Sequence, residues 1–304
     1  MTMQQLAPNN LDLDSSSWSI SEESFLALVA VIQAKLGIPQ TLIEFGSGNS
    51  SIRLALEFPQ TQIRSIESDP VSLESTALLA QSLLPGQNLS LQHRPLRFQA
   101  YGPTEILSYA QDRSWESLQI DCVIIDGPPF YTLRGREACL YQLYNQLVVG
   151  GIVILDDYQR RDEQNMVRRW QAVYPDSFEL EVIAKGHRLA VLRKVKAVSP
   201  HWQAQVLQEA IQTTQHRYQR LQFILQNYQP EKVLKPLLAL EKLGISLASI
   251  SRVLPTMRQT YTEANAAQSS SSLPRAARPL GLWGQGQAWW ELLVLLFVKG
   301  ILGF

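Results

Sequence analysis

The sequence has only two cysteines in 304 residues, Cys122 and Cys139, too few for a disulfide framework. Cys122 lies in an apolar, strand-like run and Cys139 in a helix-like one. Both therefore read as small core residues in a reducing, cytoplasmic setting. The chain also lacks a charge excess: 27 Lys and Arg balance 27 Asp and Glu. That balance removes any global electrostatic case for a nucleic-acid partner. No basic segment followed by an apolar core opens the sequence, so no signal peptide is expected. With 45% hydrophobic and 18% charged residues, the composition excludes a disordered chain. Its length suits one large core, or one domain with a smaller appendage.

What is present falls into five stretches. Residues 1–16 are polar and are expected to be a poorly ordered N-terminus. Residues 17–195 alternate short β-branched runs with amphipathic ones, the pattern of a parallel sheet flanked by helices. Ser21 reads as the N-cap of a helix reaching Lys35, with Glu22 and Glu23 in its first turn and Gly37 and Pro39 beyond its end. Strands are expected at 41–44, 62–67, 89–93, 121–125 and 152–155. Helices are expected at 50–57, 71–84, 104–110, 134–147 and 161–173. The runs 178–183 and 189–192, joined by Ala-Lys-Gly-His-Arg, read as a closing hairpin. The fold class is thus α/β: a Rossmann-like, seven-stranded mixed sheet, five strands parallel and the last two an antiparallel hairpin, with helices on both faces.

Residues 196–265 read as a helical extension. Leu207, Ile211, Thr214, Tyr218, Leu221 and Leu225 share one helix face, which suits either packing on the main domain or a short coiled coil in a homodimer. Residues 266–282 form a Ser/Pro-rich linker. Residues 283–304 are an apolar C-terminal segment. Its stretch from Trp289 to Phe304 is short for a membrane span, and the paired tryptophans suit a peripheral membrane contact as well as a groove on this chain or its twin.

In an open α/β sheet, ligands bind outside the carboxyl ends of the strands. Those ends carry Glu44, then Glu67 with Asp69, then Asp126, then Asp156 and Asp157, and no Lys or Arg stands among them. The first end runs into Gly46-Ser47-Gly48-Asn49-Ser50-Ser51 and then a helix, so a ligand can approach both the glycine backbone and the free N–H groups of a helix start. Glu67, 19 residues after Gly48, stands where a carboxylate accepts both hydroxyls of a ribose. A nicotinamide dinucleotide and S-adenosylmethionine both fit a glycine turn with a ribose acid. A pyrophosphate would meet the Glu44 carboxylate with no basic group nearby. A sulfonium and an ammonium would gain roughly 4 kcal/mol from each such charge about 4 Å away, before desolvation. The charges favour S-adenosylmethionine.

These segments resemble the class I S-adenosylmethionine-dependent methyltransferases over roughly residues 18–195. Ile43-Glu44-Phe45-Gly46-Ser47-Gly48 is similar to that family's first motif, and Ser65-Ile66-Glu67 to its second. The runs from Asp121 to Gly127 and from Gly150 to Tyr158 resemble the motifs on strands four and five. The resemblance implies that Glu44, Gly46, Ser47, Gly48, Ser50, Glu67 and Asp126 bind the cofactor. Asp126, Asp156 and Asp157 further resemble the metal-binding acids of catechol-type and macrocin-type O-methyltransferases, which implies Mg²⁺ at those three residues and methyl transfer to a hydroxyl oxygen of a small molecule or sugar. Without a metal, Asp157 is the candidate general base by position. Asp126 and Asp157 are accordingly the expected catalytic pair.

Asp126-Gly-Pro-Pro-Phe130 differs from the Asn-Pro-Pro-Tyr loop of amino-group methyltransferases by the intervening Gly, which disfavours an amine acceptor. Tyr131, Arg134 and Arg136 read either as acceptor-pocket residues or as the polar start of a helix. His187 is placed in the hairpin turn, and His93 at the end of the third strand. Two alternatives of other classes remain: a non-catalytic assembly module on the same fold, and an NAD-dependent oxidoreductase.

Overall fold

A computed structural model describes residues 20–84, 88–227 and 247–269. The N-terminal stretch 1–16, the apolar segment 283–304 and residues 270–282 of the linker lie outside the described residues.

The chain opens with α1 (Glu22–Leu36), capped by the Ser21 side chain, which accepts from the Ser24 amide. It continues through β1 (Thr41–Phe45), α2 (Asn49–Glu57), β2 (Gln62–Glu67), α3 (Pro70–Leu83) and β3 (Leu89–His93). Next come β4 (Leu96–Tyr101), β5 (Thr104–Tyr109), β6 (Ile120–Ile125), α4 (Gly135–Leu143) and β7 (Leu147–Leu155). Then follow α5 (Arg161–Val173), β8 (Phe178–Ile183), β9 (Leu189–Lys194), α6 (Gln205–Asn227) and α7 (Leu247–Ser269).

Seven strands form one sheet in the order β3-β2-β1-β6-β7-β9-β8. The first five are parallel, β9 runs antiparallel to β7, and β8 pairs antiparallel with β9. This is the expected mixed sheet with its closing hairpin. The order reverses beside β1, whose neighbours are β2 on one side and β6 on the other, so the switch point lies over Phe45 and Gly46.

Strand alternation builds a core on each face of the sheet. Leu42, Cys122, Ile124, Ile152 and Ile154 pack with Phe25, Ile32 and Leu54 of α1 and α2. Ile43, Phe45, Val123, Ile125, Val153 and Leu155 point the other way, toward Leu140 of α4 and Trp170 of α5. Burying each such large side chain stabilises the fold by roughly 1.5–3 kcal/mol.

Some boundaries and one element need correction. Residues 104–110, read as a helix, form β5, which pairs antiparallel with β4 across the turn at Gly102 and Pro103. The run Thr-Glu-Ile-Leu-Ser-Tyr is too short to separate the two periods, and its β-branched and aromatic content favours the strand. The helix read over 134–147 is α4, ending at Leu143, because Leu147 already pairs with Ile120 as the start of β7. On the helix face read from the sequence, Leu207, Thr214, Leu221 and Leu225 of α6 are buried in this chain. In addition, α7 extends to Ser269, into the stretch read as linker.

Among the described residues, no helix is long and apolar enough to cross a membrane.

Candidate functional site

The tip of β1 and the glycine turn are built around close backbone approach. Gly46 has φ +102°, a conformation that favours glycine. A Cβ at Gly46 would lie 3.0 Å from the Gly127 nitrogen. The Gly127 amide donates to the Phe45 carbonyl at 2.6 Å, tying the end of β6 to the end of β1. A Cβ at Gly48 would meet nothing among the described residues within 4 Å, so the turn is open on that side.

Glu44 supports this turn from beneath. It has no exposed surface, and its carboxylate accepts from the hydroxyls of Ser50 (2.6 Å), Ser65 (2.6 Å) and Ser51. Burial pushes its pKa up to about 7, against the lowering effect of the three hydroxyls. Glu44, read from the sequence as a cofactor-binding residue, braces the turn through Ser50 and Ser51. Strand alternation points it between β2 and α2, away from the solvent side of the turn.

Glu67 ends β2 at the rim. Its Oε1 accepts from the backbone amides of Ser68 (2.6 Å) and Asp69 (2.9 Å), while among the described residues Oε2 accepts only a long bond of 3.3 Å from the Ser47 amide. Burial raises its pKa despite those amides. Oε2 thus faces the glycine turn with capacity to accept further. The Ser47 hydroxyl is buried without a hydrogen-bond partner among the described residues, a polar atom suited to a ligand. His93, at the end of β3, places Nε2 3.1 Å from the Ser68 carbonyl beside this acid.

The other half of the site lies over β6 and β7. The sheet geometry of β7 ends at Leu155, and Asp157 adopts φ +61°. That break lets Asp156 and Asp157 converge, which an intact strand would forbid. Ligand atoms of Asp156, Asp157 and His187 lie within 4.8 Å of one another. His187 Nδ1 is 3.5 Å from Asp157 Oδ1, and the hairpin bearing it is anchored by its own backbone amide donating to Ser24 Oγ at 3.0 Å. Burial, reinforced by the neighbouring charges of Asp126 and Asp157, raises the Asp156 pKa to about 8.

Two arginines correct the expectation of tips free of basic groups. Arg136 reaches Asp126 at 3.2 Å and Asp157 at 3.1 Å, with Glu163 at 3.8 Å, and Arg160 reaches the same Asp157 oxygen at 2.6 Å. Both enter from helix starts, α4 and α5, that point back at the strand ends. The strand ends alone therefore could not reveal them. Burial raises the Asp126 pKa while Arg136 opposes the rise. Mg²⁺ held by Asp126, Asp156 and Asp157 does not fit this arrangement, because a guanidinium already bridges Asp126 and Asp157.

Of the remaining candidates, Arg134 is a structural residue: it is buried against Glu137 and donates to Thr104 Oγ1. Tyr131 is buried, and its backbone carbonyl is held by Tyr261. No family model matches the sequence, and no curated protein matches it. Solved structures similar to this one include the O-methyltransferase TomG from Streptomyces achromogenes, determined in complex with SAM. It is 13% identical, with a TM-score of 0.43, over 59% of this chain and 82% of that one. A second is a putative caffeoyl-CoA O-methyltransferase from Staphylococcus aureus, 12% identical, TM-score 0.43, over 59% and 86% of the two chains. A third is the SAH-bound methyltransferase PaMTH1 from Podospora anserina, 12% identical, TM-score 0.42, over 57% and 78%. What these proteins share with the chain is the outline of the fold alone.

Proposed function

We propose that this protein binds S-adenosylmethionine over the ends of β1 and β2 and catalyses transfer of its methyl group. The observation that carries this reading is Glu67, a rim carboxylate with Oε2 turned to the open glycine turn and, among the described residues, no cation as a hydrogen-bond partner. A pyrophosphate over that turn would stand above the Glu44 and Glu67 carboxylates, whereas a ribose diol and a cationic sulfur suit them.

When bound, the cofactor supplies a methyl group made electrophilic by its sulfonium. In this reading Glu67 accepts the two ribose hydroxyls, the buried Ser47 hydroxyl bonds the ligand's polar edge, and the first turn of α2 presents its N–H groups. Asp126, at the end of β6, faces the amino-acid end and receives its ammonium. Asp157 has Oδ2 committed to two arginines and Oδ1 facing His187, so it orients the imidazole. With Nδ1–H pointing at Asp157, Nε2 of the half-exposed His187 carries the lone pair that takes the acceptor's proton. A hydroxyl of a small molecule or sugar is the proposed acceptor. That finer part rests on the resemblance in the motifs on strands four and five.

Calorimetric titration tests the cofactor. S-adenosylhomocysteine should bind and NAD should not, and the reverse result would overturn the assignment. Turnover of labelled methyl donor against cell extract, lost in Asp157→Asn while cofactor binding is kept, separates catalysis from a binding-only module.

A further inference from the structure

The gap between the ends of β6 and β7 holds a cation that the chain itself supplies. Arg136 sends one guanidinium nitrogen to Asp126 Oδ1 at 3.2 Å and the other to Asp157 Oδ2 at 3.1 Å. A planar fork thus spans carboxylates on two neighbouring strands, whose separation of about 4.8 Å would otherwise suit a shared divalent ion. Glu163 adds a third carboxylate at 3.8 Å, and the Arg136 side chain is only 14% exposed. Guanidinium stays charged under all working conditions, so it does not vacate such a position by losing a proton. In the neighbouring cluster of Asp156, Asp157 and His187 the arginines constrain Asp157 alone. Two arginines occupy Asp157 Oδ2, and the remaining Oδ1 faces His187.

We infer that Arg136 takes the place of a divalent ion between Asp126 and Asp157, and that methyl transfer by this chain is independent of metal. The second half rests on the proposed function; the first half is geometric and stands without it. Arg136 is then a positioning residue. It fixes Asp157, which orients His187, and it balances acids that would otherwise repel one another at the mouth of the site.

The test uses the full chain and Mn²⁺ as probe, read by electron paramagnetic resonance and by calorimetry. Wild type should show no binding of Mn²⁺ at millimolar metal, and its affinity for S-adenosylhomocysteine should be unchanged in excess chelator. Arg136→Gln should gain Mn²⁺ binding at least tenfold tighter than wild type, lost again when Asp157→Asn is added. Stoichiometric, tight Mn²⁺ binding by wild type that Asp157→Asn abolishes would overturn the inference, as would a folded Arg136→Gln protein that gains none. Should Arg136→Gln not fold, the comparison of wild type with Asp157→Asn decides alone. Failure of S-adenosylhomocysteine to bind at all would sink the proposed function and leave the Mn²⁺ result to be read separately.

Discussion

The phenolic hydroxyl of Tyr261, on α7, donates to the backbone carbonyl of Tyr131 at 3.1 Å, so the appended helices hold the loop that follows β6. Tyr218 of α6 does the same one residue on, donating to the Thr132 carbonyl at 2.9 Å. Between them the two rings pack edge-on against Phe98 of β4. The held loop ends in Leu133 at φ +61°, a conformation that costs energy for a bulky side chain and persists only where its surroundings enforce it. Arg136 enters the site three residues later.

Removing the Tyr261 hydroxyl should therefore loosen the loop without emptying the core. Tyr261→Phe is expected to cost about 1 kcal/mol in urea denaturation. It should also speed amide exchange at residues 130–133 by a factor of several, measured by hydrogen exchange. Unchanged exchange there would mean that the aromatic packing alone holds the loop.

For Glu67, charge and reach both matter. Glu67→Gln keeps the length but weakens the acceptor, and Glu67→Ala removes it. A hydrogen bond to a charged group contributes roughly 1.5–3 kcal/mol, so Ala should weaken S-adenosylhomocysteine binding by roughly 10- to 100-fold and Gln by less. Equal affinity of all three proteins in calorimetry would remove Glu67 from the ribose site.

Much of this arrangement was legible in the sequence, and the exceptions have one physical origin. The glycine turn, Glu67, and the acids after β6 and β7 could be placed because each lies at the end of an apolar run, and a parallel strand dictates where its end points. The hairpin of β8 and β9 was legible for the same reason. Arg136 was read only as a pocket residue or a helix start, and Arg160 not at all, because both stand where a helix begins. There the side-chain direction depends on how the helix docks, which no local pattern encodes. What the sequence did not carry was their pairing with Asp126 and Asp157. The burial of Glu44 beneath the turn was not legible, since it is set by α2 and Ser65. The hairpin of β4 and β5 was missed because a six-residue run fits both periods.

Glu137 supplies the clearest stability prediction. It is fully buried and bonds Arg134, Arg169 and the Tyr141 hydroxyl. Burial alone would raise its pKa, but the two arginines outweigh it and bring the group down to about 2 from an ordinary 4.5. A depressed acid contributes stability that is complete above about 4.5 and is lost as pH falls toward about 2. Glu137→Ala should cost about 3–5 kcal/mol at neutral pH by leaving two arginines unpaired. The mutant should also lose less than wild type on acidification. A loss at pH 7 under about 1 kcal/mol would show that the network is already hydrated.

Glu44 should behave in the opposite sense. Burial lifts its pKa from 4.5 to about 7 in the folded protein. The folded state then binds the proton more tightly than the unfolded chain does. Stability is therefore complete below about 4.5, declines as pH rises through the window, and levels off above about 7. The shift corresponds to roughly 3 kcal/mol. Asp126, Asp156 and Glu67 are raised as well and act in the same direction, so the wild-type curve alone does not isolate this residue. The difference between wild type and Glu44→Gln does, because Gln keeps the shape beneath the turn and cannot titrate. Urea denaturation at pH 5 and pH 8 should show wild type losing more stability than Glu44→Gln over that interval. A ligand cation above the turn would favour the ionised acid, so at pH 7 S-adenosylmethionine should release more protons on binding than uncharged-sulfur S-adenosylhomocysteine. Calorimetry in two buffers of different ionisation heat reads that difference directly. Identical proton release for the two ligands would place the sulfonium away from Glu44.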